Sequence, residues 1–202
     1  MTKKNELEMR REIQSEIFNS LIQPEKKIEN TTFYDCEFKN CNFSNSTLKK
    51  CKIIDCKFES CNLSLIDIDK TIFNDVEFYE CKMIGINWAK ANFPKFSFES
   101  QLKFEKCKMN DSSFYGLILK NLNLIECNAQ GVDFREGDFS SSNFIYSNLS
   151  RSLFNNTNLE KTNFSEAQNY IIDIYKNNIT GAIFTRFDAL GLLDCLDINL
   201  VD

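Results

Sequence analysis

The chain is predicted to be an all-β solenoid of square coils, and three observations carry that prediction. Large apolar residues recur at every fifth position, from Phe33, Phe38, Phe43, Leu48 and Ile53 through Phe73 and Phe78 to Phe93 and Phe98. A small residue, most often Cys, Ser or Thr, stands two places before most of them, as at Thr31, Cys36, Cys41, Ser46 and Cys51. Of the 19 phenylalanines, only Phe18, Phe96 and Phe187 fall off the repeat. A period of five is neither that of a helix nor that of an ordinary strand, so it marks an internal repeat. Each unit can turn its small and its large residue inward and three polar ones outward, and about four such units, roughly 20 residues, close one coil.

Stacked coils of this kind are separated by the strand spacing of about 4.8 Å, and their backbone groups pair from coil to coil. Residues one coil apart then form ladders, such as Phe33/Ile53/Phe73/Phe93 and Phe38/Phe58/Phe78/Phe98. After Phe98 the phase slips by one residue and resumes at Phe104, Met109 and Phe114, running to Phe164 with an outlying Ala182-Ile183-Phe184. The slip predicts a loop or bulge at residues 99–103, where one extra residue must leave the coil if both flanking phenylalanines stay inside. Pro94, which cannot donate to the ladder, agrees with an irregular path there.

Units such as Cys41-Asn42-Phe43-Ser44-Asn45, Cys61-Asn62-Leu63-Ser64-Leu65, Ser147-Asn148-Leu149-Ser150-Arg151 and Thr162-Asn163-Phe164-Ser165-Glu166 resemble the motif of the pentapeptide-repeat family. The resemblance covers residues 29–184 and implies a right-handed four-sided parallel β-helix. About seven and a half coils would make a rod on the order of 35 Å long.

Such a rod has two open ends that need caps. Residues 5–22 read as an amphipathic helix, with Met9, Ile13, Ile17 and Leu21 at fourfold spacing, Leu7, Phe18 and Ile22 beside them and Pro24 to end it. Residues 1–28 are therefore expected to form an N-terminal helical cap, or an arm that binds a partner. At the other end, residues 188–196 read as a short capping helix and Ile198 to Val201 alternate like a strand. Residues 185–202 resemble the segment through which some family members dimerise. That would place Leu190, Leu192, Leu193, Leu196 and Ile198 in an interface, although a monomer cap would show the same apolar pattern.

Composition excludes much. Histidine is absent, which removes the commonest general base and metal ligand. The 6 glycines are scattered, with no phosphate-binding loop or dinucleotide fingerprint. Of the 9 cysteines, all but Cys195 stand at the small inward position, a packing signature rather than four ligands converging on a metal. No enzyme activity, metal or cofactor is expected. The N-terminus lacks the apolar core of a secretory signal and no apolar run reaches membrane-spanning length, so a soluble cytoplasmic protein is expected, with no membrane contact and no direct nucleic-acid binding.

Charge supplies the binding candidates. The net charge of −5 sits mostly in residues 165–202, while the body is nearly balanced. Stacking aligns Asp35, Asp55 and Asp75 as an acidic stripe and Lys50, Lys70 and Lys90 as a basic one on a neighbouring edge. The stretch 77–85, the interruption at 94–103 and the ending 192–198 resemble the quinolone-resistance members of the family. That likeness implies a DNA-mimicking partner of DNA gyrase or topoisomerase IV, with Asp35, Asp55 and Asp75 in contact. The alternative is a general interaction or scaffold module with another partner. An ice-binding surface is excluded, because it needs an outward array of Thr and the threonines here point mostly inward.

Overall fold

The computed structural model describes residues 11–93, 100–196 and 198. Short strands stack in parallel into a right-handed four-sided β-helix of about 8 turns. One side is a four-stranded sheet of Glu12–Gln14, Thr32–Tyr34, Lys52–Ile54 and Ile72–Asn74. The next is a six-stranded sheet of Ile17–Asn19, Glu37–Lys39, Lys57–Glu59, Val76–Tyr79, Leu102–Glu105 and Asn123–Ile125.

Pairing is in register, Phe33 with Ile53 and Ile53 with Phe73 on the first sheet, Phe38 with Phe58 and Phe58 with Phe78 on the second. The rings stack face to face with centroids 4.6 Å apart for Phe38 and Phe58 and 5.1 Å for Phe58 and Phe78. Rings on adjacent sides of one coil meet edge-on, as Phe33 does with Phe38 at 5.6 Å. The core is this single column of rings and aliphatic groups, closed by apolar burial and by favourable ring geometry together.

Coils close through left-handed corners. At most corners the residue two after the inward apolar one has φ near +55°, for example Asp35 at 52°, Asn40 at 52° and Lys50 at 53°, whereas Lys90 instead ends the 3-10 turn Trp88–Lys90. Asn and Asp tolerate this conformation better than most residues, which gives the frequent Asn and Asp at these corners a backbone reason. The Asn just before the inward residue works locally too. Its side chain accepts the backbone N–H two residues on, as Asn42 does from Ser44 at 3.0 Å and Asn148 from Ser150 at 3.1 Å.

Two expectations change. The described part of the expected N-terminal helix, residues 11–22, is the first coil of the solenoid: Glu12–Gln14 and Ile17–Asn19 are strands, paired with Thr32–Tyr34 and Glu37–Lys39. Ile13 is fully buried and Phe18 stacks on Phe38 at 5.0 Å, whereas Ile17 is 66% exposed. Ile13, Phe18 and Ile28 thus extend the fivefold phase, and the fourfold pattern is coincidental to it. Residues 5–10 of the expected helix lie outside the described residues.

The interruption is also longer than one residue and lies earlier. Ile72 still bridges Asn92, but Phe78 pairs with Phe104, and the offset has grown from 20 to 26 residues. Six residues are therefore added between Asn92 and Leu102, and Leu102–Glu105 is a regular strand. The ladder runs Phe38/Phe58/Phe78/Phe104, with Phe78 and Phe104 stacked at 5.2 Å, and Phe98 lies outside the described residues.

Candidate interaction surfaces

Eight cysteines are buried and free, and Cys195 is half-buried. Each inward thiol of the main ladder takes part in the coil-to-coil bonding. The Cys41 N–H donates to Cys61 Sγ at 3.3 Å and the Cys61 N–H to Cys81 Sγ at 3.4 Å. The Cys61 thiol donates to the Phe38 carbonyl at 3.3 Å and the Cys81 thiol to that of Phe58 at 3.4 Å. Burial pushes the Cys51 and Cys127 thiols above their ordinary range, which keeps them protonated as donors. Among the described residues, no cluster of three or more Cys, Asp or Glu side chains could hold a metal ion.

The outward groups are where chemistry with a partner is available. Asp35, Asp55 and Asp75 stack on one corner, all exposed and all with left-handed backbone, at φ 52°, 53° and 49°. They differ in their surroundings. Asp35 accepts the Ser15 hydroxyl at 2.8 Å, Asp75 pairs with Lys103 at 3.3 Å, and Asp55 has no ion pair among the described residues. On the other edge of the same side, Lys50 and Lys70 have no ion pair among the described residues, while Lys90 meets Asp67 at 3.3 Å.

The side next to the acidic corner carries a ladder of alternating charge. Lys39 meets Glu37 at 2.9 Å and Glu59 at 3.8 Å. Glu77 lies between Lys57 at 3.3 Å and Lys103 at 3.2 Å. Partial burial pushes the Glu77 carboxyl up, and its bonds to Lys103 and Lys57 more than offset this, holding it below the usual range. Below it Lys106 sits 5.3 Å from the centre of the Tyr79 ring.

At the C-terminal end, Asp188–Leu196 forms a 3-10 helix. Leu192 packs against the core, Leu193 and Leu196 are half-buried, and Leu190 and Ile198 are 51% and 52% exposed. Of the five residues expected in an interface, the helix thus turns three partly inward. Sequence reasoning missed Phe187, the most exposed large apolar residue described at 80%, and Ile183, 53% exposed in the strand Ile183–Phe184. Phe184 stacks on Phe164 at 5.1 Å and Tyr170 packs tilted against both; burial, with a smaller push from Asp188, raises its phenol to about 12.

Among the described residues, no helix is long and apolar enough to cross a membrane. A parallel solenoid with a filled core, flat charged sides and exposed corners belongs to the class of repeat proteins that present surfaces rather than clefts.

The sequence signature described as Pentapeptide repeat region matches residues 31–102 and 100–164, and the chain belongs to that family. Its fold is similar to that of a trypsin-treated variant of QnrB1, a plasmid-mediated fluoroquinolone resistance protein. The TM-score is 0.71 at 20% identity, over 93% of this chain and 99% of that one. A second trypsin-treated QnrB1 variant gives 0.65 at 20% identity, over 100% and 96%. HetL, a pentapeptide-repeat protein involved in heterocyst differentiation regulation from the cyanobacterium Nostoc sp. strain PCC 7120, gives 0.52 at 14% identity, over 87% of each chain. Comparison with curated protein sequences finds no match.

Proposed function

We propose that this chain is a non-catalytic, cytoplasmic protein-interaction rod whose acidic corner engages a basic DNA-binding surface of DNA gyrase or topoisomerase IV. The observation that carries this reading is the column Asp35/Asp55/Asp75, three exposed carboxylates held at strand spacing on a rigid edge. Such a row can stand in for phosphates facing a basic groove, and the likeness of fold to a fluoroquinolone resistance protein supports the choice of enzyme. The exposed apolar group at the C-terminal end, Ile183, Phe187, Leu190 and Ile198, supports self-association through that end, which would match a two-fold rod to a two-fold enzyme.

A gyrase supercoiling and drug-induced cleavage assay tests the reading. Wild-type protein is expected to alter one or both activities in a salt-sensitive way. Asp35→Lys, Asp55→Lys and Asp75→Lys together, or removal of residues 188–202, should abolish the effect. No change in either activity at micromolar protein would reject the topoisomerase reading. A second reading, a scaffold with another partner, is favoured by one observation: the side beside the acidic corner is neutralised by its own lysines.

A further inference from the structure

The acidic corner is electrically uneven, and the cause is the enlarged coil. In the 20-residue register, the position beneath Glu77 would be residue 97; the 26-residue coil puts Lys103 there instead. From that place the Lys103 ammonium reaches Glu77 at 3.2 Å and Asp75 at 3.3 Å, bridging from the flat side to the corner. Asp55, one level up, has no ion pair among the described residues, and the lysine two residues along, Lys57, is held by Glu77 at 3.3 Å.

We infer that Lys103 is an internal counter-ion that occupies the lower end of the acidic corner, so that a cationic partner meets full negative charge at Asp55 and must displace Lys103 to use Asp75. This deepens the reading of the acidic corner as a contact for a basic partner and rests on it. Lys103 is 41% exposed and Asp75 50%, so the pair is weak enough to open. A partner arginine, with its planar fork, can replace a single ammonium there with two parallel bonds. Lys103 is a positioning residue in this scheme: it sets where along the corner a partner's cation gains most.

The test is calorimetric titration of a deca-arginine peptide into the full chain at low salt. Lys103→Met should bind the peptide about three- to fivefold tighter, the gain expected from removing one nearby like charge. Lys70→Met makes the same change in net charge on the neighbouring edge and should alter binding less than twofold. Asp55→Asn should lose more affinity than Asp75→Asn, a comparison that stands even if Lys103→Met folds poorly. Equal gains in the two lysine variants, or equal losses in the two aspartate variants, would overturn the inference. The peptide result is read apart from the supercoiling assay. Tighter peptide binding by Lys103→Met with gyrase unaffected sinks the topoisomerase reading and leaves the counter-ion standing.

Discussion

The first half of the rod and the second solve one problem with different atoms. In the first, the small inward positions are mainly thiols; in the second, after Cys127, they pass to hydroxyls at Ser142, Ser147, Ser152, Thr157 and Thr162. Both kinds donate to the carbonyl 23 residues earlier, Cys61 to Phe38 at 3.3 Å and Ser147 to Leu124 at 2.8 Å. Both accept the N–H of the coil above, Cys41 giving to Cys61 and Cys127 giving to Ser147 at 2.9 Å. What this position requires is a small side chain that is donor and acceptor at once. Sulfur meets the requirement with more volume and weaker bonds, oxygen with less volume and stronger ones.

The sharpest way to break that equivalence is to remove the ring that each ladder faces. Phe58→Ala and Phe144→Ala should each lose about 3 to 5 kcal/mol in urea melts, because Phe58 is stacked between Phe38 and Phe78 and the fully buried Phe144 stacks on Phe164 and meets Phe134 edge-on. Lys57→Ala, on the solvent side of the same strand as Phe58, should lose no more than about 1 kcal/mol. A large inequality between the two phenylalanine variants would show that the halves are not packed alike.

The next effect separates sulfur from oxygen. Ser147→Ala leaves the buried Cys127 N–H without its acceptor and should cost about 2 kcal/mol, against about 1 for Cys61→Ala, whose bonds are longer. Equal costs would mean that packing alone decides the position. Thiol labelling gives an independent view: in the native protein Cys195 should react first, and the eight buried thiols only as urea unfolds the rod.

The smallest effect is electrostatic and lies on the thiol half. Glu77 is held below the usual carboxylate range, so it contributes stability above that range which is lost as pH falls through its lowered folded value. Glu77→Gln should therefore flatten the decline of stability below about pH 4. An unchanged acid limb would assign that decline to other carboxylates, such as Asp133 beside Arg135.

These contrasts also explain what the sequence reveals of the molecule. The fivefold period specifies the coil, the inward thiols and the columns Asp35/Asp55/Asp75 and Lys50/Lys70/Lys90, because repetition turns sequence distance into height. It fails where the period meets a competing signal. Gln23 stands at a large inward position and is polar, so the phase through Ile13, Phe18 and Ile28 is interrupted while Met9, Ile13, Ile17 and Leu21 imitate a helix. It also reports added residues only by remainder: six extra residues leave the same phase as one, which is why a longer interruption reads as a single slip. Pairing of Asp75 with Lys103 follows from that hidden length and could not be read without it. The inward turn of Leu192 depends on the tight 3-10 path of the tail, which an apolar pattern alone does not distinguish from a strand or an α-helix.

The corners carry one more consequence. Asp, Asn, Lys, Ser, Glu, Leu, Tyr and Arg all occupy the left-handed corner position along this rod, with φ values in a narrow band from 49° to 60°. The backbone therefore treats the corner as a slot into which side chains of any charge can be set without refolding the coil. A lineage carrying this scaffold can rewrite an entire edge, from acidic to basic, one level at a time, while every intermediate remains a folded rod.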